Sequence, residues 1–237
     1  MGPDMSSSRT SAAFGLEKWM TIPALKWLTA SPMLVKWEFR TPWGICDLVG
    51  VELDRGRVQE RISLGQKKPI GLPSRIALLQ LIPGSNTDQS VSVERLHEQI
   101  GDPVLAIERE LRVLCERRLV VRREDDSFQS AISWAPLHTR IVALELKLSR
   151  IDEVIAQARA HTAFATESLI GLPEDKAKRL AASERAEELK DAGLGLLSVT
   201  REHAALLIPP ASASNCDPVM QMHCVERFWP QAIGTRA

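Results

Sequence analysis

The chain of 237 residues has no tyrosine, no net charge and only 4 cysteines, and each shortage excludes something. Lys plus Arg and Asp plus Glu number 30 each. A protein that coats nucleic acid over its whole surface is basic overall, so neutrality argues against that class. It leaves room for a basic patch beside an acidic metal site, which averages to zero. Cys46, Cys115, Cys216 and Cys224 form no CxxC pair and do not read as a disulfide framework in a chain of this length. Cys46 and Cys115 sit among apolar neighbours and read as core thiols. Cys216, His223 and Cys224 offer three soft donors without a fourth at zinc spacing, so a structural zinc is not favoured there. No apolar run reaches the roughly 18 residues of a membrane span. The start Met1-Gly2-Pro3-Asp4 lacks the basic-then-apolar pattern of a signal peptide. The expectation is a cytoplasmic protein with no membrane partner. The lack of Tyr beside 6 Trp has no physical account.

What is present is ordinary for a globular protein: 44% apolar and 25% charged residues. The length suits two small domains or one interrupted domain. Residues 1–19 open with a Ser-rich stretch and are expected to be disordered, with Met20 an alternative translation start. Met33 to Phe39 and Ile45 to Leu53, joined by Thr41-Pro42-Trp43-Gly44, read as a β-hairpin. From Pro69 the pattern becomes helical. Ser74 to Ile82 is a helix with Ser74 as its cap, and Val93 to Ile100 is a short helix ended by Gly101. A longer helix follows, with Asp102 as N-cap and Pro103 at N1. Leu119 to Arg123 and Phe128 to Trp134 flank Glu124-Asp125-Asp126 as a two-stranded wing. That order describes a winged helix-turn-helix over 67–138. After it come a strand (141–148), a helix (150–165), a short strand (168–172), one charged helix (174–191) and two closing strands (194–199 and 204–208). A second domain, 20–66 with 139–210, is therefore interrupted by the first, and 211–237 reads as a loop-like tail.

The strand from Ile141 to Leu148 is the most informative segment. Side chains alternate across a strand, so Val142, Leu144, Leu146 and Leu148 share one face, and Glu145 and Lys147 the other. Central strands are usually apolar on both faces. A carboxylate beside an ammonium there is costly unless it is paired or bound to metal. Asp47 is a lone acid inside the apolar strand Ile45-Cys46-Asp47-Leu48-Val49, and strand interiors are depleted of Asp. Asp47 and Glu145 on adjacent strands would give hard oxygen ligands suited to Mg²⁺ or Mn²⁺. Lys147 would then assist a metal-bound water.

The hairpin Glu38-Phe39-Arg40-Thr41-Pro42-Trp43-Gly44-Ile45-Cys46-Asp47, together with Ala143-Leu144-Glu145-Leu146-Lys147-Leu148, resembles the PD-(D/E)xK nuclease superfamily. The following Gln157-Ala158-Arg159-Ala160-His161 is similar to the Gln-containing helix of its RecB-like branch. The resemblance implies a restriction-endonuclease-like α/β fold, with a mixed central sheet flanked by helices, and hydrolysis of DNA with Mg²⁺ or Mn²⁺. It assigns Asp47 and Glu145 as metal ligands, Lys147 as the catalytic lysine, Glu38 as an additional acid and Gln157 as a supporting polar residue. Cys46 stands where the motif has Pro, and His161 where the branch often has Tyr. The winged helix lies between hairpin and ExK strand, where simple members have none.

On the inserted domain, Arg109, Arg112, Arg117 and Arg118 share the longer helix with Glu108, Glu110 and Glu116, and Arg122 and Arg123 lie on the wing. Arg109, Arg112, Arg122 and Arg123 are the expected DNA contacts. Phosphate binding wants uncompensated positive charge, so this mixed-sign surface equally suits a protein partner. The rival readings are a non-catalytic winged-helix regulator on an inactive nuclease scaffold, and a subunit of a larger nucleic-acid-processing or defence assembly. RNA as substrate and a homodimeric state stay open.

Overall fold

The structure, a computed structural model, describes residues 15–132 and 135–234. A 3₁₀ turn over Glu17–Met20 leads into α1 (Thr21–Thr29), β1 (Leu34–Thr41), β2 (Gly44–Leu53), α2 (Arg55–Ser63) and α3 (Pro73–Gln80). Next come α4 (Val93–Ile100), α5 (Val104–Glu116), β3 (Val120–Arg122), β4 (Phe128–Ser130) and β5 (His138–Leu146). The chain continues through α6 (Ile151–His161), β6 (Glu167–Pro173), α7 (Glu174–Ala181), α8 (Arg185–Asp191), β7 (Leu194–Val199) and β8 (Ala204–Ile208). It closes with α9 (Pro218–Glu226) and α10 (Trp229–Ala232). Two compact units result. One takes the chain up to Gly50 with Val142–Ser214; the other takes Val51–Ile141 with Asn215 onward.

The fold is α/β, as expected, with six strands in the order β1-β2-β5-β6-β7-β8. β5, β6 and β7 run parallel and β8 antiparallel, so the sheet is mixed. In the first unit the alternation along each strand sorts side chains into two cores. Leu48, Val142, Leu144, Leu146, Leu169 and Leu197 pack with Met20, Ala24 and Leu28 of the α1 segment. Ile170, Leu172, Leu194 and Leu196 pack with Val154, Ile155 and Ala158 of α6 and with α7 and α8. Glu145 pairs in register with Ile170 and so faces α6 rather than α1.

The second unit is built on α3, α4 and α5 and the antiparallel pair β3-β4. Ser92 caps α4 by accepting the Arg95 N–H, and Gly101 ends it in the left-handed region at φ 81°. Ile76, Leu79, Leu96, Ile107, Leu111, Leu114 and Phe128 form its core.

Several expectations need correction. Residues 1–14 and 133–134, the latter including Trp134, lie outside the described residues, but Glu17–Met20 is an ordered turn with Met20 fully buried. α2 was not anticipated. α3 starts at Pro73, which takes the N1 position after Leu72, and Ser74 does not cap it. α5 starts after Pro103, not Asp102. β5 ends at Leu146, so Lys147 lies just beyond the strand, although its N–H still donates to the Gly171 carbonyl at 3.0 Å. The charged stretch 174–191 is two helices, because Ser183 turns its hydroxyl back onto the Leu180 carbonyl at 2.8 Å.

The largest correction is the tail, which forms α9 and α10 and buries Cys224, Val225, Glu226, Phe228 and Trp229. Asp217 caps α9 through the Val219 and Met220 N–H groups, and Val219 and Met222 pack on the core of the second unit. Glu226, 1% exposed, pairs with the wholly buried Arg61 and accepts the Ile70 N–H at 2.6 Å. The Arg61 guanidinium lies 4.0 Å from the Trp229 ring centroid. Removing one partner of a buried pair strands the other charge. Glu226→Ala should therefore destabilise the protein by about 3–5 kcal/mol in chemical denaturation. Replacing Arg61 by Met and Glu226 by Leu together should restore much of that loss. A single variant as stable as the parent would contradict this account.

Candidate metal centre

β2 and β5 are neighbours in the sheet, so the chain brings Asp47 and Glu145 together across the intervening segment. Asp47 Oδ2 accepts the Leu146 N–H at 2.7 Å, which holds the carboxylate in line with the strand ladder. Glu145 is 1% exposed, and its Oε1 lies 2.6 Å from His161 Nε2 on α6. His161 is itself buried, and its ring meets Phe164 edge-on with centroids 5.6 Å apart. Cys46 completes a buried trio: its Sγ, a Glu145 oxygen and a His161 nitrogen all lie within 4.8 Å of one another. The thiol donates to the Leu48 carbonyl at 3.3 Å.

Electrostatics match this crowding. Burial is the largest effect on Asp47 and pushes its carboxyl up to about 7; the neighbouring Glu145 pushes the same way. The Leu146 N–H and the Lys147 charge oppose the shift. Burial likewise holds the Cys46 thiol well above its ordinary value, with Glu145 adding to it.

Lys147 is half-buried, and its Nζ stands 3.4 Å from Glu153 and 3.9 Å from Glu17. Glu17 also accepts the Leu148 N–H at 3.2 Å. Of the early acids, Glu17 is the one that stands near Lys147. Glu38 is exposed on β1 at φ 48°, and its carboxylate makes no hydrogen bond or ion pair among the described residues. Gln157 lies one turn before His161 on the same helix face, and its Oε1 is buried without a partner among the described residues. His161 carries more of the geometry than its place in the sequence pattern suggested. Its i+4 spacing from Gln157 was the available signal. Glu17 and Glu153 had no such signal, being single acids in charged surroundings.

From solvent, the exposed Trp43 stacks on Phe164 at 6.4 Å with an interplanar angle of 9°, and Phe164 in turn touches His161. An aromatic line thus runs from the surface to the buried carboxylate.

No family model, curated protein or solved structure matches the chain.

The donor set fits a divalent ion. Two carboxylates are pressed together at a cost that a shared cation would remove, with a buried amide oxygen unsatisfied on the adjoining helix. Elsewhere, Cys216, His223 and Cys224 form no comparable group among the described residues; His223 Nδ1 lies instead 2.9 Å from the Gly71 carbonyl.

The expected DNA-contacting arginines fare unevenly. Arg109 and Arg112 are exposed on α5. Arg122 pairs with Asp126 at 2.9 Å, and Arg123 donates to Gln129 at 2.6 Å. Arg117 turns inward onto the Pro69 and Ile70 carbonyls. Arg112 and Arg122 line a groove of about 620 Å³ that also holds Glu94, Glu108, Asp125 and Asp126.

The sign of the Asp47 shift gives a test. Its folded value, about 7, lies above the unfolded value near ~3.9, so its contribution is full below the latter and lost as pH rises through the former. The metal-free protein should lose this contribution between about pH 4 and pH 8, and Asp47→Asn should flatten that part of the profile. Mn²⁺ should raise the melting temperature more at about pH 8 than at about pH 5.5, because binding requires the ionised acid. An equal rise at both pH values would exclude Asp47 as a ligand.

Proposed function

We propose that this chain is a divalent-metal-dependent nuclease of the PD-(D/E)xK type that hydrolyses phosphodiester bonds in DNA. The supporting observation is that Asp47 and Glu145, on strands separated in sequence by the whole 51–141 segment, meet side by side next to Lys147. Asp47 and Glu145 would hold Mg²⁺ or Mn²⁺. When bound, the ion supplies positive charge that polarises a phosphate oxygen and acidifies a water. Lys147, held by Glu17 and Glu153 and near enough for its charge to lower the Asp47 pKa, would orient the attacking water and screen charge growing on the phosphate. His161 fixes one oxygen of Glu145 and leaves the carboxylate a single orientation. Gln157 lies on the same helix face with an amide oxygen to spare. The exposed Trp37 and Trp43 on the β1-β2 hairpin offer flat apolar surfaces on which bases can stack.

The second unit, read as a winged helix, is proposed to dock a protein partner rather than phosphate. Its groove sets Arg112 and Arg122 among four acids, and Arg122 is already paired; uncompensated cations are what a DNA backbone would need.

Cleavage of plasmid, linear duplex and single-stranded DNA with added Mn²⁺ tests the main reading, with an RNA substrate in parallel. Activity should vanish with EDTA and fall by roughly 100-fold or more in Lys147→Ala and Asp47→Asn. Absence of cleavage with any divalent ion, or undiminished cleavage by Lys147→Ala, overturns it. Cleavage of RNA alone would move the substrate class.

A further inference from the structure

We infer that Cys46, Asp47, Glu145 and His161 together form a binding site for a borderline-soft divalent ion, zinc foremost, that competes with the hard ion of the proposed nuclease. The competition rests on the nuclease reading; the site itself does not.

A site built only for Mg²⁺ uses oxygen donors. Here a thiol and an imidazole stand among the carboxylates, and all three of Cys46, Glu145 and His161 are buried, at 0%, 1% and 2% exposure. A cysteine that merely fills a core has apolar neighbours, whereas Cys46 Sγ lies within 4.8 Å of both a carboxylate oxygen and a ring nitrogen. His161 Nδ1 is buried and has no partner among the described residues. In the metal-free protein the Glu145 carboxylate, 2.6 Å away, holds the ring proton on Nε2; a cation entering between the two would take the Nε2 lone pair, and the proton would move to Nδ1. Asp47 stands outside the 4.8 Å trio but beside Glu145, is the one acid there that solvent reaches, and would swing in as the fourth donor.

The trio needs little adjustment. Zinc bonds of about 2.3 Å to sulfur and about 2.0 Å to nitrogen or oxygen place tetrahedral donors roughly 3.3–3.7 Å apart. The trio has to draw in by about an ångström, and Glu145 Oε1 has to part from His161 Nε2 by a similar amount. On binding, the Cys46 S–H proton leaves to solvent and the thiolate takes its place on the metal. With Asp47 drawn in as the fourth donor, the tetrahedral sphere would be full, with no position left for a reactive water or a phosphate oxygen. Zinc would hold the enzyme silent.

The test is titration of the whole protein with Co²⁺, whose spectrum reports its ligands. A 1:1 complex should form, with a sulfur-to-cobalt charge-transfer band in the near ultraviolet and the visible bands of a tetrahedral ion, all bleached by zinc. Cys46→Ser, with folding checked by circular dichroism, should lose the charge-transfer band; Cys46→Ala serves if the serine variant does not fold. His161→Gln should weaken zinc binding by at least roughly tenfold. Absence of the band in the parent, or its survival in the Cys46 variant, overturns the inference. Mn²⁺-dependent cleavage is scored separately. A cobalt band without cleavage removes the nuclease and keeps the site. Cleavage that persists with one equivalent of zinc bound removes the competition.

Discussion

A carboxylate almost sealed from water on a central strand is the constraint around which the first unit is organised. Taking an ionised Glu side chain out of water costs several kcal/mol unless protein groups replace the lost hydration. Glu145 obtains that replacement from His161, and the ring reaches it only because α6 crosses the face of the sheet on which Ile170 lies. The opposite face of the same strand is wholly apolar and packs against α1. The two-sidedness of β5 thus dictates which helix carries the polar partner. It also explains why Asp47 sits at the strand ladder, held by the Leu146 N–H beside a like charge. An arrangement that crowds two acids is poor for stability and useful for capturing a cation.

What the sequence disclosed was what depends on short-range periodicity. The alternation in Val142 to Leu148 shows which side chains face together, and the Pro-Gly turn at residues 42–44 shows the hairpin. Asp47 in an apolar strand shows itself as an anomaly. What it concealed depends on long-range complementarity. Glu226 looks like any helix acid until Arg61, far away in the chain, is seen to need it. The tail read as loop because its apolar residues carry almost no helical periodicity, although Asp217-Pro218 is a capping pair. Glu17 was set aside with a Ser-rich stretch, yet its carboxylate is fixed by a backbone N–H beyond β5. The division of 174–191 was hidden because Ala182-Ser183-Glu184 has no strong helix breaker; only the Ser183 hydroxyl turning back on Leu180 ends the first helix.

Charge in the second unit illustrates a further limit of counting. By sequence α5 presents a row of arginines, but Arg117 is consumed by the Pro69 and Ile70 carbonyls, and Arg75 ties up Glu110 at 2.6 Å. Groups that look like surface electrostatics are partly the hydrogen-bonding frame of the loop ahead of α3. The groove beside α5 sets two arginines among four acids, a charge pattern that a uniform polyanion would not match.

The Arg61–Glu226 pairing also bears on synthesis. The chain leaves the first unit at Val51, returns to it at Val142 and leaves again at Asn215. Arg61 is made early, and its carboxylate comes some 165 residues later. While the ribosome is still building the sheet strands β6 to β8, the 51–141 segment holds a guanidinium without the anion that its interior requires, and an uncovered patch where Val219 and Met222 will settle. Domains tend to close as they emerge; this one is obliged to wait, and the nascent polypeptide in that interval is the form in which a chaperone would find exposed apolar surface to hold.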